Sequence, residues 1–311
     1  MLWILLALLG AVTNAAYFII IKNYITSLDP RILTGIGFTL GGILLFVVSA
    51  RIGFPVIGPE FFPAVAITVI LNICGLSLIF RALSSSDLSL SMPMLSFTPV
   101  ILIGTSYVIL HEVPSFFGFI GICIIVSGSY VLNISAGHEH FLDPVRSMIR
   151  NRGSWYMLIV AFLFAVSISF DKIAMLNSDP FFGMALTVLA IGSAFLIISA
   201  YSHTVKMRRD AHLTHHIPEA KEQKDLQATP IPLQQIAGLS FLIGLFVAIE
   251  AASINVAYTL QIVPYVIAIK RLSIIFMVLY GTIVLSEGDL EKRVMGATIM
   301  VAGAIIILLF A

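Results

Sequence analysis

Charge is what this sequence has least of. Only 11% of its 311 residues are Asp, Glu, Lys or Arg, against about 25% in an average soluble domain. The formal net charge of +1 gives no basic surface that would draw nucleic acid. Cysteine is almost absent: Cys74 and Cys123 fall inside apolar runs, read as small apolar filler, and exclude a disulfide framework or a cysteine zinc site. A nucleophile elbow, a phosphate-cradling loop and a metal-ligand spacing are also missing. The sequence is therefore read as a non-enzyme that holds no cofactor and no metal. His203, His212, His215 and His216, and the pair His138 and His140, lack the ligand spacing of a metal site.

What is present is apolar. Hydrophobic residues make up 59% of the chain, and the mean hydropathy is +1.06. A helix needs about 20 apolar residues to cross a hydrocarbon core of about 30 Å. Ten such stretches lie near residues 2–22, 32–50, 60–83, 88–110, 114–135, 154–176, 181–203, 234–259, 264–286 and 291–310. Their length and continuity predict helices rather than the short alternating strands of a barrel. No basic segment precedes the first stretch, which is read as a structural span rather than a cleaved signal. Trp3, Phe61, Phe62, Phe116, Phe117, Phe181, Phe182 and Tyr265 open odd-numbered spans and predict an interfacial aromatic belt.

The chain also repeats itself. Lys22, then Asp29 and Pro30, recur as Lys172, Asp179 and Pro180 at an offset of 150 (172 − 22). Glu112, Gly121 and Gly128 recur as Glu287, Gly296 and Gly303 at an offset of 175 (287 − 112). Each copy holds five spans, an odd number, so the second must enter the bilayer upside down. The predicted fold is an all-α integral membrane protein of ten transmembrane helices arranged as two inverted five-helix repeats. The repeats cover residues 1–135 and 154–311, joined by a polar linker at 136–153. The second carries a long polar connection at 204–233, which absorbs the 25 residues by which the offsets differ (175 − 150). Its basic strip is suited to anionic lipid.

An ionisable group within a span is costly and marks a pathway, relay or pair. Glu250 lies 11 residues before Gln261, in the connection between spans eight and nine, while Lys270 and Arg271 lie nine and ten after it. At about 1.5 Å per residue all three sit near the bilayer midplane, where Glu250 meets one cation and leaves the other facing elsewhere. Their first-copy counterparts are Gly75, Leu95 and Ser96, so the fold does not require charge there. Ser253 and Ser273 each lie three residues after a charged neighbour and share its helix face. Asn14, Tyr17 and Asn72 are polar groups in otherwise apolar spans. These eight residues form the candidate substrate-binding and coupling set. Lys22 and Lys172 are read as interfacial anchors, Glu112 and Glu287 as partners of the following helix N-terminus, and the glycine pairs as close helix contacts.

Of the 17 Lys and Arg, 13 follow odd-numbered spans and two, Arg51 and Lys172, follow even ones. The positive-inside rule then places both termini outside the cytoplasm and 204–233 within it. Ten spans in two halves, a Lys closing each first span, and a Glu closing each fourth span with paired glycines after it resemble the drug/metabolite transporter superfamily, specifically the EamA type. That resemblance implies a secondary transporter of the cytoplasmic or plasma membrane, with both termini in the cytoplasm, contrary to the charge count. It implies a small polar or charged metabolite, amino-acid-like or an organic anion or zwitterion, moved by alternating access through a central cavity between the repeats. The partners are that small molecule, a coupling proton or counter-substrate, and membrane lipid. The alternatives are a non-transporting accessory or sensor protein and, behind it, a membrane-embedded enzyme.

Overall fold

The computed structural model describes residues 1–24, 28–85, 94–132, 152–213, 232–284 and 290–310. They form α1 (Leu2–Tyr24), α2 (Pro30–Ile52), α3 (Phe61–Ser85), α4 (Thr98–Leu110), α5 (Phe116–Leu132), α6 (Arg152–Leu176), α7 (Phe182–Leu213), α8 (Leu233–Leu260), α9 (Val263–Lys270), α10 (Ser273–Ile283) and α11 (Leu290–Phe310). No strand occurs among the described residues. Among the described residues eight segments are long and apolar enough to cross a membrane, α9 and α10 counting together as Val263–Gly281, while α4 and α5 are shorter apolar helices.

The starts of these helices follow from their sequence. The Asp29 carboxylate accepts the Arg31 N–H at 2.9 Å, and Pro30 opens α2. The repeated Asp179 accepts the N–H groups of Phe181 and Phe182 at 2.6 and 2.8 Å. Each carboxylate satisfies orphan donors of a first turn. His111 ends α4 in the left-handed region, φ 57, and that reversal sends the chain on to Glu112.

The span expected at 264–286 is not continuous. Leu272 N–H donates to Ile269 O and Ile274 N–H to Arg271 O, so the backbone tightens into three-residue turns between α9 and α10. The same turn occurs at residues 96 and 97, and α4 starts at Thr98 where α10 starts at Ser273, again 175 apart. An interruption at membrane depth is tolerated only where backbone is covered by protein or lines a cavity.

The largest helix interfaces join α5 to α11, α2 to α7, α3 to α6, α2 to α8 and α1 to α8. Every one couples a helix before residue 133 to a helix after 151. Lipid tails give no hydrophobic drive for such contacts, so close approach decides them. Small residues supply it. A Cβ on Gly121 would meet Gly303 O at 2.8 Å, and one on Gly128 would meet Gly296 O at 2.8 Å. Gly42 lies against Ala185 O of α7, and Gly192 of α7 against Gly35 O, while Gly37 and Gly41 turn to α8. Helix α2 is thus wedged between α7 and α8 with backbone on backbone. Outward side chains such as Leu5, Ile70, Val108 and Ile197 are exposed and apolar, as lipid contact requires.

Part of the aromatic belt is corrected. Phe62, Phe116 and Phe117 are exposed, but Trp3, Phe61 and Tyr265 are buried among the helices. Tyr265 packs over Gly118 and accepts the Ser115 N–H at 2.7 Å, a use that its place at a helix start does not reveal. Cys74 is exposed rather than buried, and its neighbour Gly75 takes the inward position, against Phe164. The histidines at 138, 140, 215 and 216, the linker 136–151, most of the 204–233 connection, and Glu287 lie outside the described residues.

Candidate functional site

Helices α1, α2, α3, α6, α7, α8 and α9 enclose a cavity of about 180 Å³. From α8 come Glu250, Asn255 and Tyr258, and from the α9 terminus Lys270 and Arg271. Glu250 meets Lys270, Nζ to Oε1 at 2.6 Å. The same oxygen accepts Asn14 Nδ2 at 3.0 Å. Arg271 also lines the cavity, and its Nε is buried with no hydrogen-bond partner. The break after α9 falls at this division: Lys270 ends one helix and Arg271 occupies the turn.

Six of the eight residues named from sequence line this space: Glu250, Lys270, Arg271, Asn14, Tyr17 and Asn72. Two do not. The Ser253 hydroxyl donates back to Ile249 O at 2.7 Å, a local bond that draws it away from the charged face. Ser273 is buried at the start of α10. Tyr17 pairs with Thr34 of α2 at 3.2 Å. Asn72 donates to Ser167 Oγ at 2.7 Å and to Thr68 O at 3.0 Å, joining α3 to α6.

Seven pairs of cavity positions are exchanged between the two halves. Asn14, Tyr17 and Phe18 of α1 stand 150 residues from Phe164, Ser167 and Ile168 of α6, and all six line it. Phe38 of α2 is matched by Val188 of α7, Asn72 and Leu76 of α3 by Val247 and Ala251 of α8 at 175, and Leu95 by Lys270. One contact shows what differs between the copies. Asn14 bonds Glu250, and at the exchanged place Phe164 rests on Gly75. A polar pair on one side is an aromatic ring on a glycine on the other.

Sequence reasoning missed Asp171, which lines the cavity with its Oδ1 buried and unpartnered. The signal was available: its counterpart at 150 is Ile21, the same disagreement between copies that marks Glu250. Asp171 was passed over because it adjoins Lys172, whose own reading is corrected. Rather than reaching for the interface, Lys172 Nζ meets Glu112 Oε1 at 2.5 Å, both side chains about nine-tenths buried. The second Glu112 oxygen accepts the Val263 N–H at 2.8 Å. The carboxylate therefore serves the first turn of α9, not of the helix that follows it in sequence, and clamps α4, α6 and α9 together at one end of the bundle. Among the described residues no group of three or more His, Cys, Asp or Glu is arranged to hold a metal.

Residues 1–134 match the EamA-like transporter family, so the resemblance read from the repeated motifs holds over that part of the chain. No curated protein matches the chain. Among solved structures 28 chains match, and one protein crystal structure aligns with a TM-score of 0.73 and 15% identity over 99% of each chain. At that identity the likeness is one of fold.

Proposed function

We propose that this chain, which matches the EamA-like transporter family over residues 1–134, is a secondary transporter that moves a small polar or charged metabolite by alternating access between two inverted five-helix repeats. The observation that carries this reading is the cavity: every lining position from the first half has its counterpart from the second half lining it too, yet its charges occur in the second half only. Repeats give the bundle two comparable ways to close around a fixed centre. The unpaired charges give that centre something to hold.

In this reading the repeats span residues 1–135 and 154–311. The exchanged contacts Gly121 to Gly303 and Gly128 to Gly296, and Gly42 to Ala185 and Gly192 to Gly35, support a twofold relation between them. The set Glu250, Lys270, Arg271, Asn14, Tyr17 and Asn72 binds the substrate, Ser253 and Ser273 support the helices that present it, and the Phe18, Phe38 and Phe164 rings take its apolar part. Loss of the Glu250 charge leaves Lys270 without its counter-ion and raises the positive potential of the cavity.

The test is uptake into proteoliposomes by wild type, Glu250→Gln, Lys270→Ala and Arg271→Ala, with folding checked by gel filtration. Impaired uptake in the variants, at unchanged folding, supports the central site. Normal uptake in all three would falsify it. Ligand-induced thermal stabilisation without flux would instead favour the accessory or sensor reading.

A further inference from the structure

Four charges line the cavity, and they balance in an informative way. Glu250 and Lys270 neutralise each other at 2.6 Å. That leaves Asp171 of α6 and Arg271 after α9, both lining the same space. Asp171 Oδ1 and Arg271 Nε are each buried without a hydrogen-bond partner, and no ion pair joins these two residues. Leaving buried polar atoms unmatched is costly, so each group is suited to meeting a ligand in this cavity.

We propose that Asp171 is the site of the coupling proton and that the substrate is an organic monoanion held by Arg271, one proton entering with each anion. This rests on the transport reading. Among the side chains themselves, Asp171 and Glu250 offset Arg271 and Lys270. A carboxylate docking on Arg271 adds a negative charge to a low-dielectric space. A proton taken up by Asp171 removes one and restores neutrality. No other bond changes: the proton comes from water on one face, forms the Asp171 O–H while the anion is bound, and returns to water on the other face as the anion leaves. The step needs no co-reactant beyond the proton.

The surroundings favour Asp171 over Glu250 for this role. Glu250 already has an ammonium and an amide on one oxygen. The groups that act on Asp171 from its neighbours are Thr68 of α3, which does not titrate, Lys270 of α9 and Tyr258 of α8. Leu95, ahead of α4, and α7 bring only Thr187 and apolar groups to the cavity, and α1 brings Tyr17 across it. Among the described residues Asp171 thus has no salt bridge of its own, only the Thr68 hydroxyl beside it and the charge of Lys270, which is already paired with Glu250. The remaining wall, with Phe18, Phe38 and Phe164, suits an anion with an apolar body.

Two measurements test this on the full chain in lipid. The first is infrared difference spectroscopy between acidic and alkaline buffer. Wild type is expected to show a buried protonated-carboxyl band that Asp171→Asn removes and Glu250→Gln retains. Absence of the band from wild type, or its persistence in Asp171→Asn, overturns the proton site whatever the substrate proves to be. The second uses proteoliposomes containing a pH dye, supplied with labelled lactate, benzoate and phenylpyruvate, or with labelled phenylalanine as a zwitterion. Wild type is expected to accumulate a monoanion down an inward proton gradient and to acidify the lumen. Asp171→Asn should keep label-for-label exchange and lose gradient-driven accumulation. Accumulation that survives in Asp171→Asn, or phenylalanine uptake without proton movement, overturns the inference while leaving transport intact. If no probe moves at all, the transport reading is what fails, and the infrared result still judges Asp171.

Discussion

Replacing Lys172 by Met would leave the Glu112 carboxylate buried beside the start of α9 with one oxygen unmatched. Removing one partner of a buried pair costs about 3 kcal/mol or more, and Lys172→Met is expected to lower unfolding stability in detergent by that order. Glu112→Gln keeps an acceptor for the Val263 N–H but strands the Lys172 ammonium and should cost a similar amount; negligible loss in both variants would mean that the ion pair contributes nothing. Exchanging the charges, Lys172→Glu with Glu112→Lys, should not recover wild-type stability, because a lysine cannot accept the Val263 N–H. At this scale the sequence was legible where the copies could be compared. Glu250 and Lys270 were found as charges within spans, a reading that the glycine and leucine opposite them sharpened, and by the same comparison Asp171 stood in plain view opposite Ile21. The Lys172 pairing was not legible, since Glu112 reaches it only through folding across 60 residues. Nothing local distinguishes a lysine bound for an interface from one bound for a carboxylate.

Between elements, glycine position decides the cost of substitution. Gly296→Ala would press a methyl into the Leu132 backbone, and Gly121→Ala would meet Gly303 O at 2.8 Å; each is expected to destabilise by about 1–3 kcal/mol through overpacking. Gly104→Ala and Gly238→Ala meet nothing within 4 Å and should be neutral or stabilising by up to about 1 kcal/mol, since alanine favours helix more than glycine does. Unfolding midpoints of the four variants, compared side by side, check the contrast, and uniform effects would refute it. Length and continuity of the apolar runs located the helices, and the seven-residue glycine spacing marked close-contact faces on α5 and α11, which the structure shows packed against each other. The break between α9 and α10 escaped because no proline or glycine marks Lys270 to Leu272. The hydrogen-bond change at Ile269 and Arg271 leaves no trace in an apolar run.

For the whole molecule, the ten-span arrangement proposed above would place both termini on one side, and the charge count predicts that this side is outside the cytoplasm. A cysteine at Met1, which is exposed, in a Cys74→Ser and Cys123→Ser background is expected to react with an impermeant maleimide added to intact cells. A cysteine at Ala220 should react only after permeabilisation; the opposite pattern would favour the orientation that the family resemblance implies. Because every large interface runs between the halves, residues 1–135 expressed alone are expected to stay protease-sensitive, and co-expression with residues 154–311 should restore resistance. The wedge of α2 between α7 and α8 also bears on synthesis. The ribosome completes α2 well over a hundred residues before its two partners, so the glycine-lined face must wait in the membrane with lipid or a chaperone against it. A chain halted at mid-length would present that uncovered face, a ready mark by which quality control could tell an unfinished molecule from a finished one.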